Sequence, residues 1–313
     1  VTAFGVYVPQ LAFSYDDVLG RARLAEELGF ESLWVFDHLY GPELPNVPSL
    51  EGWTLATALL ANTERLRVGH LVLCNNFRHP ALLAKMATSL DQISGGRLEL
   101  GIGSGSYELE HAQSGLPWGT FAERSEQLEE SLEILTRMFA EETTTFDGKH
   151  YSVRDMPSLP RPVQQPRPPI HIGGAGEQRT LPLVAKYADV WNVPTYALDD
   201  WQRKLDVLHA ECERIGRDPA EIRLSLEIVL ALAPDDESLA DARSLAEHRF
   251  GGPGWGLEAG GYVGTPQMIV DRIGEHVEAG VDLFVFFMHD RAKEHTMRLF
   301  AEQVMPAFAG NGS

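Results

Sequence analysis

Two cysteines, Cys74 and Cys212, are all that the 313 residues contain. They stand 138 positions apart with no CxxC beside either, so a disulfide framework, a redox pair and a zinc knuckle are all unsupported. Long apolar runs are also missing, and no segment has the length that a transmembrane helix requires. Basic residues are few: 26 Lys and Arg stand against 45 Asp and Glu, for a formal net charge of -19. A field of that sign repels phosphate chains at long range, so neither nucleic acid nor a membrane is expected as a partner. It still permits one small anionic cofactor held by local dipoles. Val1 to Gln10 reads as a strand without a basic flank; no signal peptide is expected, and a cytoplasmic location is the default expectation.

What is present is apolar sequence in a regular rhythm, with 44% of residues hydrophobic. Short apolar runs read as strands at Phe4 to Val8, Ser32 to Phe36, Leu66 to Cys74 and Arg97 to Gly103. Four more follow at Ile170 to Gly173, Val190 to Val193, Ile222 to Leu232 and Leu283 to Met288. Between them lie helical patterns at Tyr15 to Phe30, Leu50 to Ala61, Ala81 to Ser94 and Phe121 to Phe139. The second half repeats this at Gln178 to Lys186, Asp200 to Ile215 and Pro266 to Ala279. Eight strands, each followed by a helix or a long excursion, predict an α/β fold of the (β/α)8 TIM-barrel type, a single domain over residues 1–313. Three stretches break the rhythm and are expected as insertions near the mouth: 104–120, 142–169 and 233–263. The second carries a predicted hairpin around Asp147-Gly148 and then a Pro-rich run.

In such a barrel, whatever follows a strand faces the active site. Asp37 and His38 follow strand two, as proton-handling or cofactor-contacting groups or, more plainly, as a helix cap and a structural histidine. Strand three ends at Cys74, Asn75 and Asn76, with Arg78 and His79 before Pro80. Cys74 could be a nucleophile, but no histidine is identifiable as its base, and a buried inert thiol is the expectation. Strand four ends in alternating glycines, Gly101, Gly103 and Gly105, which would let a flat ring or a phosphate approach the backbone. The ordered dinucleotide fingerprint is missing here. Glu108, Glu110 and His111 are the polar groups of the next loop; Glu108 and Glu110 are candidate acid-base residues, and no metal-ligand spacing accompanies them. After strand five, Gly173, Gly174, Ala175 and Gly176 precede a helix. Consecutive backbone N-H groups and a helix N-terminus suit a phosphate without a lysine, and a plain tight loop is the alternative. Trp191 closes strand six, where an indole could pack beside a cofactor ring.

Four segments together resemble the luciferase-like monooxygenase superfamily: "ARLAEELGFESLWVFDHL", "LRVGHLVLCNNFRHPALLAKMATSLDQISGGRLELGIGSG", "RPPIHIGGAGEQRTLPLVAKYADVWN" and "GTPQMIVDRIGEHVEAGVD". That superfamily comprises barrel flavoproteins and enzymes of the deazaflavin coenzyme F420. The resemblance implies that Asp37 contacts the cofactor and that His38 sits near the ring as proton donor or polariser. It implies a bulge with a non-proline cis peptide within Leu71-Val72-Leu73, with Cys74 and Asn75 at the ring edge. Gly173, Gly174 and Ala175 would hold the phosphate, and a homodimer is expected. The implied activity is hydride transfer between coenzyme F420 and a small organic substrate; an FMN-dependent monooxygenase using O2 is the alternative. One departure stands out. Sugar-phosphate dehydrogenases of this family carry a glutamate directly after the strand-four glycines, where this chain has Ser106, which points away from glucose 6-phosphate.

Overall fold

The computed structural model describes residues 2–252 and 256–310. Its strands are β1 (Ala3–Tyr7), β2 (Ser32–Val35), β3 (Arg67–His70), β4 (Leu73–Cys74), β5 (Leu98–Gly103), β6 (Thr143–Asp147), β7 (Ser152–Pro157), β8 (Ile170–Gly173), β9 (Val190–Val193), β10 (Arg223–Leu232), β11 (Tyr262–Gly264) and β12 (Leu283–Met288). Eight of them close on themselves in the order β1-β2-β3-β5-β8-β9-β10-β12, every pairing parallel. All eight predicted strands are in that ring, so the barrel expectation holds. Closure removes the unpaired edges that an open sheet would leave.

The helices are α1 (Tyr15–Leu28), α2 (Gly52–Ala61), α3 (Pro80–Ser94), α4 (Glu108–Ser114), α5 (Phe121–Ala140), α6 (Thr180–Tyr187), α7 (Trp201–Ile215), α8 (Leu239–Phe250), α9 (Pro266–Glu278) and α10 (Glu294–Gln303). Local chemistry fixes several ends. Ser14 and Asp17 form a reciprocal capping box on α1, and Thr120 and Glu123 do the same on α5. Gly29 ends α1 at φ 83°, where a side chain is disfavoured.

The pleat sorts side chains to two faces. Val6, Leu33, Val68, Leu100 and Ile172 point outward into the core shared with the helices. Tyr7, Trp34, Leu71, Val285 and Phe287 form a second, inward cluster inside the barrel. Deeper in the lumen Glu99 accepts from His171 Nε2 at 2.5 Å and from Arg67. Burial works against its charge, yet these two partners hold its carboxyl below the usual range.

Several features depart from the sequence reading. The strand predicted over Leu66 to Cys74 is two, β3 and β4, because the chain bulges at Leu71-Val72, where the peptide is cis, within the Leu71-Val72-Leu73 stretch where the resemblance placed such a bulge. Helices α4, α8 and α10 and strand β11 were not individually predicted. The hairpin around Asp147-Gly148 forms as β6 and β7. Its segment does not wall the cavity, however: Lys149 and His150 bond Glu126 and Glu130 of α5, and Val163 and Gln164 bond Asp91 of α3. Residues 142–169 therefore ride outside the barrel. The Gly-rich stretch after α8 includes 253–255, which lie outside the described residues.

Candidate active site

A cavity of about 1320 Å³ opens at the C-terminal ends of the barrel strands. Drug-sized ligands usually occupy roughly 300–1,000 Å³, so this volume suits a cofactor and a substrate together. Asp37, His38, Leu71, Val72, Cys74, Gly103, Glu110 and Gly173 to Gly176 all line it.

His38 follows β2, lines the cavity and is paired with a carboxylate. Its Nδ1 lies 2.9 Å from Glu110 Oε2. Glu110 is buried, and its other oxygen accepts from the N-H groups of Leu39 and Tyr40. A carboxylate so placed fixes Nδ1 as the donor, which leaves Nε2 as the basic nitrogen. No hydrogen bond among the described residues engages Nε2. The short helix α4 is what carries Glu110 back to strand two. Glu108, two residues earlier, falls on another side of that helix, is exposed, and does not line the cavity.

Asp37 lines the cavity, but its carboxylate is mostly engaged. Arg78 grips it with two bonds of 2.7 and 2.9 Å, and Cys74 N-H donates to it at 2.9 Å. Arg78 in turn reaches Glu51, the N-cap of α2. Asp37 thus ties the bulged strand to β2. Tyr7 pins the other side of the bulge, its hydroxyl donating to Leu71 O at 3.2 Å.

Cys74 does have a neighbouring histidine, which the sequence did not reveal. His111 Nε2 is 3.6 Å from Sγ, and His111 Nδ1 donates to Tyr107 O. Nε2 is therefore an acceptor of the thiol proton. Burial pushes the thiol up to about 12, so it stays protonated and is not a nucleophile.

The strand-end glycines serve two purposes. A Cβ on Gly103 or Gly173 would meet a Val72 methyl at 2.8 Å. Val72, swung inward by the bulge, occupies the room those glycines leave. Gly174 differs: its φ of 126° disfavours any side chain, and Thr180 Cγ2 sits 3.1 Å from where a Cβ would be. Beyond it the N-H groups of Ala175 and Gly176 bond no described residue, and Thr180 adds an inward hydroxyl at the first turn of α6. Unbonded backbone N-H groups beside a helix start carry partial positive charge. Thr180 went unnoticed in the sequence because a threonine at a helix start is common.

Two expected ring contacts are displaced. Trp191 is fully buried in the outer core, and its Nε1 donates to Gly174 O at 2.8 Å, so it braces the elbow from behind. Alternation along β9 puts Asn192 in the cavity instead. Asn75 turns from the cavity toward the Tyr151 hydroxyl of the hairpin, 3.4 Å away. Sequence reading also missed Glu227 on β10, whose alternating apolar neighbours hid it. Glu227 faces the cavity, and burial pushes its carboxyl up to about 8.

Comparison with known proteins agrees with this geometry. The family model described as "Luciferase-like monooxygenase" matches residues 2–253. An F420-dependent glucose-6-phosphate dehydrogenase of Microbacterium testaceum is 28% identical, over 97% of this chain and 96% of its own. An F420-dependent hydroxymycolic acid dehydrogenase of Mycobacterium tuberculosis is 29% identical, over 77% of this chain and 66% of its own. The solved structure of a Streptomyces bottropensis monooxygenase superposes with a TM-score of 0.81 at 23% identity, covering 98% of this chain and 100% of that one. With the family model spanning most of the chain and the closed barrel in place, this protein is an oxidoreductase belonging to the luciferase-like monooxygenase family.

Proposed function

We propose that the protein is a coenzyme F420-dependent oxidoreductase that transfers a hydride between the deazaflavin and a small organic substrate. The observation that carries this is His38, set on Glu110 with Nε2 free toward the cavity. The curated relatives named above, both called F420-dependent, support the choice of cofactor. The residues present fit such a group. The N-H groups of Ala175 and Gly176 with the Thr180 hydroxyl would take its phosphate. Leu71 and Val72 offer an apolar platform for a flat ring.

When bound there, the coenzyme supplies a two-electron hydride carrier. His38 does the accompanying proton work. In the oxidation of a hydroxyl compound, its Nε2 takes the O-H proton as the C-H hydrogen leaves as hydride; in reduction the proton returns from the same nitrogen. Glu110 holds the imidazole in the right tautomer and stabilises the imidazolium. Asp37 acts through Arg78 and the Cys74 N-H to hold the bulge in place.

Fluorescence titration with coenzyme F420 and, separately, with FMN tests this reading. Tighter binding of F420 is expected. Tighter binding of FMN would move the protein to the oxygen-using branch.

A further inference from the structure

We propose that Glu227 is a substrate-binding acid, whose neutral carboxyl donates a hydrogen bond to the oxygen of an uncharged, largely apolar alcohol or carbonyl compound. The proposal rests on the hydride-transfer reading above for the identity of the reaction, and on this chain's own geometry for the residue. In the ring of eight strands β10 stands four places from β3, so Glu227 looks across the barrel at the Leu71-Val72 bulge. Its register partner on β12 is Val285, which in turn pairs Gly5 of β1, and Tyr7 and Phe287 lie one inward layer above. A flat group resting on the bulge would leave the β10 and β12 side of the cavity for the substrate.

Glu227 makes no hydrogen bond and no ion pair among the described residues. Glu227 is half-buried and its carboxyl opens onto the cavity, so a ligand that displaces water there leaves the carboxyl in need of a new partner. The titratable groups that feel its charge are phenols: Tyr7 from β1 and Tyr196 from the turn after β9. Among the described residues no cation pairs with it. Lys204 is held by Glu177 and Asp200, and Arg249 donates to the carbonyl of His289. With its carboxyl raised to about 8 by burial, Glu227 is protonated at neutral pH and is a donor in want of an acceptor.

The wall around it selects further. Tyr7, Phe250 and Phe287 provide apolar surface on that side. Besides the protonated Glu227, the cavity is lined by four acids (Asp37, Glu110, Asp199 and Asp200) against two cations, Lys204 and Arg249. That balance disfavours an anionic substrate such as a sugar phosphate and suits a neutral oxygen compound, with the aromatic wall taking its carbon skeleton.

Difference infrared spectroscopy on the cofactor-free protein tests the claim without any turnover. At pH 7 a protonated-carboxyl band should be present in the native chain and absent from Glu227→Gln, and saturating cyclohexanone should shift it. A missing band, or one that cyclohexanone leaves unmoved, would overturn the proposal. With F420 added, oxidation of cyclohexanol supplies the kinetic half. Glu227→Gln keeps a neutral donor and should retain kcat/KM within about fivefold, whereas Glu227→Met should lose roughly tenfold to a hundredfold, the usual cost of an unmade bond to a buried partner. The native rate should fall as pH rises through about 8, because the donor proton is then lost, and Glu227→Gln should lack that limb. Equal kcat/KM for the native chain and Glu227→Met would refute the role. If the band shifts but F420 does not bind, the cofactor reading fails and the assignment of Glu227 stands.

Discussion

Replacing Glu110 by glutamine tests the proton-transfer pair at one atom. In the native chain Oε1 accepts from two backbone N-H groups, those of Leu39 and Tyr40, and Oε2 lies 2.9 Å from His38 Nδ1. A glutamine has one oxygen and one NH2 to share among these donors. Aiming the oxygen at the backbone pair keeps two bonds and puts the NH2 against His38 Nδ1. The other orientation sets NH2 against two buried N-H groups and costs about 1–3 kcal/mol. The first therefore wins, and Nδ1 must become an acceptor. The ring proton moves to Nε2, the nitrogen that should be the base. Loss of the working tautomer should cut kcat by roughly 10²–10⁴ while leaving the F420 dissociation constant within about threefold. The assay follows F420 reduction with an active alcohol found by screening alcohols, or reoxidation of the reduced coenzyme with an active enone, imine or quinone. Nitrogen-15 NMR of the labelled histidines would report the tautomer in the same variant. A kcat within threefold of native, with the tautomer demonstrably switched, would refute the assignment of His38 Nε2 as the proton carrier.

Four further outcomes follow from the same geometry. His38→Ala should lower turnover far more than F420 affinity, because the phosphate contacts proposed for Ala175, Gly176 and Thr180 stand apart, between β8 and the first turn of α6; a parallel fall in both, checked by titration and steady-state kinetics, would make His38 a packing residue. Gly174→Val should fold but bind F420 weakly, since φ is 126° and Thr180 lies 3.1 Å from the new Cβ; unchanged affinity would remove the phosphate assignment. Cys74 should react with thiol reagents at pH 8 roughly a thousandfold more slowly than an ordinary thiol, given a value of about 12 against 9.0, and fast labelling of the folded protein would contradict its burial. The folded carboxyl of Glu227 titrates at about 8 against 4.5 when exposed, so native stability should decline between those pH values and Glu227→Gln should melt increasingly higher than native across that window, read by thermal unfolding.

The barrel was legible because its signals are local and periodic. Each ring strand is a short apolar run, and each long helix has a stripe and a cap written within a few residues, as Ser14 and Asp17 show for α1. What failed to show was anything that depends on a break in period. By residue type alone Leu66 to Cys74 reads as one continuous strand; the bulge was expected only from the family resemblance, and it lies at Leu71-Val72. Helix α4 has seven residues, too few for a periodic signal. The segment 142–169 was expected at the mouth because it lies between barrel strands. It follows a helix rather than a strand, and its contacts with α3 and α5 set it outside the barrel.

The site was legible one residue at a time and not as pairs. His38 could be singled out because it follows a strand, but its partner lies 72 positions away and is supplied by α4. Glu108 and Glu110 are indistinguishable by composition; only the hand of one helical turn buries the second and exposes the first. Trp191 and Asn192 invert for a similar reason, because a single step along β9 exchanges the outer core for the cavity. Glu227 is the sharpest case. In "RLSLEIVLAL" one acid stands among apolar residues with no motif around it to single it out. In a closed barrel no strand has a solvent face: one side meets helices and the other the lumen. A lone carboxyl there can only enter the lumen, so closure itself, which the strand count already implied, turns an ordinary polar residue into a candidate for function.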